Sequence, residues 1–230
     1  MSSLSFKIEK ERITPMKKRL FLISVATLFV FASAMVGFAQ SPNFTASRTF
    51  QFDPDNTGGA VAYWKNGIGE TDSNCNTKFG LELEKNAPIE ANVSAGAVLN
   101  GLKGVVVAAG DTLGFDIKNG SPCSGGSPRY NVYWTAPDGS VHSSTLSSFV
   151  GGCGNDPTRS PSPQDPANWT RVKFELQNGA EAFPIIPPGA TLQLVVLIVD
   201  EPGKYTLDNI EFREQYADKP GSSGPAPTCP

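Results

Sequence analysis

The chain has 230 residues, with 19 Lys and Arg against 22 Asp and Glu and one histidine, a formal net charge of −3. Its first 39 residues hold six of the basic residues and two of the acidic ones, so the remainder carries 13 against 20, a net charge of −7. An acidic surface of this kind repels nucleic-acid phosphates and anionic lipid, which sets both aside as partners.

Residues 1–15 form an upstream extension that includes Glu9 and Glu11, and Met16 is an alternative start. Lys17-Lys18-Arg19 then precedes an uncharged run over residues 20–38. Small residues thin its far end (Ala32, Ser33, Ala34, Gly37 and Ala39). A basic flank, an apolar segment and a small-residue exit make a signal-peptide helix cleaved near Ala39–Gln40. The run is also nearly long enough to span a bilayer, so an uncleaved anchor is the alternative. In both cases the chain after it is exported. The expectation is a secreted, extracellular protein with no membrane contact after cleavage.

Beyond the signal, short apolar runs alternate with Gly, Pro, Asn and Asp, and helical periodicity is nearly absent. Strands are expected at residues 49–52, 60–64, 79–84, 102–108, 113–118, 129–134, 169–176, 192–199 and 205–212. In Arg129-Tyr130-Asn131-Val132-Tyr133-Trp134 the period of two puts Tyr130, Val132 and Trp134 on one face and Arg129, Asn131 and Tyr133 on the other. Phe115 and Phe174 are further core candidates. Residues 192–199 are apolar on both faces, which predicts a central strand covered on both sides. Leu207 and Ile210 cannot both point inward on a regular strand, so a bulge is expected at Asp208-Asn209. About nine strands fit an all-β fold, an antiparallel β-sandwich over residues 44–216. The Pro- and Ser-rich tail, residues 217–230, is expected to be disordered.

Export makes disulfides the default for Cys75, Cys123, Cys153 and Cys229. Three pairings are open. Cys123 and Cys153 lie in Gly-rich loops at the two ends of a hairpin-like segment, which favours joining them. Zinc spacing is not present.

Little points to catalysis. The single histidine, His142, sits near Ser143, Ser144 and Ser147 without a nucleophile-elbow pattern. Acidic residues such as Asp116, Glu82, Glu84 and Glu175 are spread over strand faces, where solvation explains them. The segment Asp53-Pro54-Asp55-Asn56-Thr57 offers hard oxygen ligands at alternate positions, and equally makes an ordinary turn. A polar strand face carrying Arg129, Asn131 and Tyr133 supplies a ring for the C–H face of a sugar and planar groups for its hydroxyls. Asp116 is expected from a neighbouring segment, and Trp64 and Trp169 are candidate platforms at strand ends.

Asn168-Trp169-Thr170-Arg171-Val172-Lys173-Phe174 resembles the Trp-x-x-Val-x-Phe strand of exported carbohydrate-binding modules of the galactose-binding-like jelly-roll type. Tyr205-Thr206-Leu207-Asp208-Asn209-Ile210-Glu211-Phe212 resembles their closing strand, in the expected order. The resemblance implies a jelly roll that binds polysaccharide or another glycan. It also implies a structural calcium ion joining Asp53 or Asp55 to Asp208, with no other cofactor. The Cys-containing Gly loops and the Pro-rich loop at residues 154–168 depart from that family. The leading expectation is a non-catalytic glycan-binding module, with a stand-alone structural or protein-binding domain as the alternative. A polysaccharide-degrading enzyme is the third reading.

Overall fold

The computed structural model describes residues 43–123, 125–137, 145–155 and 157–217. The signal segment, His142, Cys229 and all but residue 217 of the expected tail lie outside the described residues.

The described chain is all strand and loop. Strands β1 (Thr45–Phe52), β2 (Ala60–Asn66), β3 (Phe79–Lys85), β4 (Ser94–Asn100) and β5 (Thr112–Lys118) come first. They are followed by β6 (Arg129–Thr135), β7 (Leu146–Gly151), β8 (Thr158–Pro161) and β9 (Trp169–Glu175). The last are β10 (Ala182–Phe183), β11 (Thr191–Val199), β12 (Gly203–Phe212) and β13 (Gln215–Ala217). Sheet A runs β1-β4-β11-β6-β7-β10, and sheet B runs β2-β3-β12-β5-β9-β8 with β13 beside β12. All pairings between strands are antiparallel. The chain crosses repeatedly from one sheet to the other, giving the expected jelly-roll sandwich.

The core lies between the sheets, where the period of two sends one set of side chains from each strand. Tyr130, Val132, Phe115 and Phe174 are all fully buried there. Phe115 packs against Tyr130 and Phe174 at ring separations of 6.2 and 5.8 Å. The Tyr130 hydroxyl donates to Gly114 O at 2.6 Å, so the polar end of a buried ring is satisfied. Trp134 is also in the core, donating to Ser148 Oγ at 2.8 Å.

One expected strand is absent. Residues 102–108 are a loop, not a strand; Leu102 and Val107 plug the core while Gly101 and Gly104 take left-handed backbone that breaks any extended run. The strand at that place is β4, whose Ser-Ala-Gly-Ala start disguised it. The predicted bulge is present: the β12–β5 register shifts between Asp208 and Glu211, and Asn209 has φ of 43°.

Cys123 and Cys153 are bonded, tying the segment before β6 to the end of β7. Cys75 is not a free thiol. Replacing Cys123 and Cys153 by serine is expected to cost about 3–4 kcal/mol, since a loop of this length then regains its freedom in the unfolded chain. Urea unfolding of the double variant checks this.

Candidate functional site

Strand β11 is central in sheet A, between β4 and β6, but it is covered on one side only. Val195, Leu197 and Val199 enter the core, whereas Leu194, Val196 and Ile198 form an apolar outer face. This corrects the expectation of two covered faces. It also creates the most distinctive surface of the protein.

The register sets neighbours on that face. Phe50 of β1 lies opposite Gly96, which lies opposite Ile198, which lies opposite Arg129. Val196 lies opposite Asn131, and Leu194 opposite Tyr133. A depression of about 480 Å³ results, with Phe50, Phe52 and Tyr133 at its sides, Asn131 at its polar point, and Val196 and Ile198 beneath. A second depression of about 410 Å³ continues past Phe52, Ser94 and Ile198 to Asn92 and Asp200. Its wall is held by Lys85, a buried residue whose ammonium donates to Ile89 O, Ala91 O and Asp200 O at 3.1, 2.8 and 2.9 Å.

Gly96 lets the Phe50 ring lie flat over β4. A Cβ there would fall 2.5 Å from the ring and 2.4 Å from Leu197 O, and the carbonyl cannot move out of the sheet. Gly96→Ala is therefore expected to destabilise by about 1–3 kcal/mol and lift the ring, read as a lower melting temperature.

Asn131 and Tyr133 occupy the face as expected, but Arg129 plays another part. Its guanidinium forks onto Asp200, with Nη1–Oδ1 at 2.6 Å and Nη2–Oδ2 at 2.5 Å. It also lies 5.2 Å from the Phe149 ring centre and donates to Gly126 O at 3.2 Å. Burial works to raise the Asp200 pKa, yet the Arg129 fork and the Ser127 hydroxyl outweigh it and hold the carboxyl below its ordinary value. Arg129 Nε donates to Asn131 Oδ1 at 3.1 Å, which leaves the Asn131 amide N–H groups as those offered to the depression. Arg129 is thus a positioning residue, with hydrogen bonds from Nε, Nη1 and Nη2 all made within the protein.

The other expected site residues are elsewhere. Asp116 is on β5 in sheet B, so it shares no face with β6; it is fully buried and forks with Arg171 at 2.8 and 2.7 Å. Trp64 packs against the core and donates to Ala46 O at 2.9 Å. Trp169 is 2 % exposed, with Lys118 Nζ 6.0 Å from its ring centre. Neither ring is a platform.

Nor do the expected calcium ligands come together. The Asp53 turn adjoins the end of sheet B where Gly203 pairs Lys85, and Asp208 lies five residues further along β12, roughly 16 Å away. Both Asp53 oxygens already accept, from Thr57 Oγ1 at 3.0 Å and from Gly58 N and Gly59 N at 2.7 and 3.2 Å. The Thr57, Gly58 and Gly59 hydrogen bonds hold its pKa below the ordinary value. Asp55 is exposed in the same turn. Asp208 accepts from Glu70 N and Asn209 N at 2.6 and 2.8 Å. Among the described residues no three His, Cys, Asp or Glu side chains are grouped to hold a metal. These residues do not fit one shared ion.

The outer face of sheet B is closed by polar packing. Glu70, from the β2–β3 loop, accepts from Ser162 Oγ at 2.6 Å and from Asn209 Nδ2 at 2.8 Å. Asn209 Nδ2 also reaches Asp116 Oδ2 at 2.9 Å, and Arg171 Nη1 donates to the Tyr216 hydroxyl at 2.9 Å. Burial, then the neighbouring Asp116 carboxylate, push the Glu70 pKa up to about 8.

Sequence reasoning missed Phe50, Phe52, Val196, Ile198, Phe149 and Asp200. Two signals were present: Arg48, Phe50 and Phe52 alternate on the first strand, and residues 192–199 are apolar at every second outward position.

No family model matches the chain, and no curated protein matches it. Among solved structures it is similar to one described as the crystal structure of a family 30 carbohydrate binding module. The identity is 13%, the match covers 75% of this chain and 93% of that one, and the TM-score is 0.44.

Proposed function

We propose that this is an exported, non-catalytic module that binds carbohydrate on the outer face of sheet A. The observation that carries it is the depression in which Phe50, Phe52 and Tyr133 flank the Asn131 amide over an aliphatic floor. Rings and aliphatic groups take the C–H faces of a pyranose, while the amide and the tyrosine hydroxyl pair with its hydroxyls. Export is supported by the basic and apolar N-terminal segment.

Affinity electrophoresis through gels containing neutral polysaccharides (xylan, β-glucan, galactomannan) tests the proposal. The protein is expected to be retarded by at least one, and Tyr133→Ala to weaken that retardation by about tenfold, the worth of one ring contact and one hydrogen bond. Unretarded migration in every gel and silence on a glycan array overturn it.

A second reading has its own observation. Phe183 and Phe149, opposite each other on β10 and β7, are 77% and 55% exposed, an apolar area of the kind that marks protein interfaces. That reading predicts self-association or a protein partner.

A further inference from the structure

The register of sheet A places Arg48, Val98, Val196, Asn131, Phe149 and Phe183 in one outward row that crosses all six strands. Five inter-strand spacings make this row about 24 Å long. The depression occupies its middle, under Phe50 and Tyr133. The row does not stop there: past Asn131 it meets Phe149 and Phe183, opposite each other on β7 and β10. Phe50 lies over β4, so the two aromatic stations are three to four strand spacings apart, about 14–19 Å.

From this we infer that the site takes an extended glycan chain laid across the strands, with Phe149 and Phe183 as a second aromatic station beyond the depression; the inference rests on the carbohydrate reading above. A single pyranose or a disaccharide seated between Phe50 and Tyr133 does not reach the second station, whereas a chain of about four or more units does. Three features favour a chain as the occupant. The row runs from the depression to the sheet edge through outward positions on each successive strand, Asn131, then Phe149, then Phe183. The polar groups in the row recur at Arg48 and Asn131 instead of clustering, as a repeating hydroxylated polymer requires. Arg129, stacked on one side of Phe149 and locked by Asp200, holds that ring in place at no cost to the exposed Phe183. Phe183 is 77% exposed, so its ring is accessible at the end of the row.

A glycan array printed with xylan, β-glucan and mannan oligosaccharides of two to six units, followed by calorimetry on the ladder that binds, tests this. Wild type is expected to bind the six-unit member at least tenfold more tightly than the two-unit member. Phe183→Ala is expected to lower six-unit affinity about tenfold and leave two-unit affinity within twofold, while Tyr133→Ala lowers both. Phe149→Ala repeats the length-selective loss if the station is real. Equal effects of Phe183→Ala on both lengths, or none on either, overturn the second station and leave the carbohydrate reading standing. Absence of binding to every ladder by wild type overturns both. A dimer seen by sedimentation that Phe183→Ala abolishes assigns the edge to a second copy of the chain and overturns the inference as well.

Discussion

Replacing Asp116 by alanine is expected to lower the unfolding free energy by about 3–5 kcal/mol, because it leaves the Arg171 guanidinium buried without its counter-ion. The pair is forked at 2.7–2.8 Å, and Asp116 is fully enclosed. Burial works against the charge on Arg171, but Asp116 outweighs it and raises the arginine pKa above its ordinary value. The loss also spreads, since Asn209 and Tyr216 hydrogen-bond to the same two side chains. Removing both charges together is expected to be far milder. An Asp116→Leu, Arg171→Met double variant should recover most of the stability, because desolvation then no longer opposes folding. Denaturant midpoints of the single and double variants measure this, and a single variant as stable as wild type would refute the argument. Since the pair lies on sheet B, glycan affinity of the folded fraction should be unchanged.

The second large effect is on pH. Glu70 has an ordinary carboxyl pKa of 4.5 when unfolded and about 8 in the fold. Between those values the native protein holds a proton that the unfolded chain has released. Stability is then fully present below about pH 4.5 and declines as pH rises towards 8, by up to about 1.4 kcal/mol per pH unit from this group. The direction is opposite to that of Asp200, whose lowered pKa contributes stability that is lost as pH falls. Glu70→Gln removes the titrating group: its oxygen can still accept from Ser162, while its amide nitrogen replaces the oxygen that accepts from Asn209. The variant is expected to melt at a nearly constant temperature from pH 5 to 8, where wild type loses several degrees. Parallel melting curves for the two proteins across that range would contradict the raised Glu70 pKa.

Alternation alone exposed much of the architecture. Tyr130, Val132 and Trp134 on one side of β6, and Phe115 and Phe174 on β5 and β9, are where a period of two puts them. The break in the closing strand, between Leu207 and Ile210, foretold the bulge. Turn residues delimited most strands. They failed at β4, whose small residues carry no apolar signal, at the short or polar β7, β8, β10 and β13, and at residues 102–108, where a hydrophobic run fills the core from a loop.

The candidate site was legible only in part. Asn131 and Tyr133 were identified because they share a face within one strand. Asp116 was misplaced because β5 and β6, although consecutive, belong to opposite sheets, and no local pattern records when the chain changes layer. An indole at a strand end suits a platform or a core role equally; Trp169 is enclosed and Trp64 is half-buried against the core. Asp53 and Asp208 both have ligand chemistry, but Asp53 sits in the turn after β1 and Asp208 within β12, and no local pattern records how far apart the fold sets them.

What the amino-acid order determined by itself was local: for most of the longer strands, which residues extend, which side is apolar and where the chain turns. Each depends on backbone sterics and on the alternation of side chains along a single strand. The tertiary structure alone decided that the outer face of β11 stays open, that Arg129 is held by Asp200, and that six separate strands contribute to one row ending at Phe149 and Phe183. Those outcomes depend on pairing between segments up to a hundred residues apart, where the free energy is set by neighbours that no short window of sequence contains.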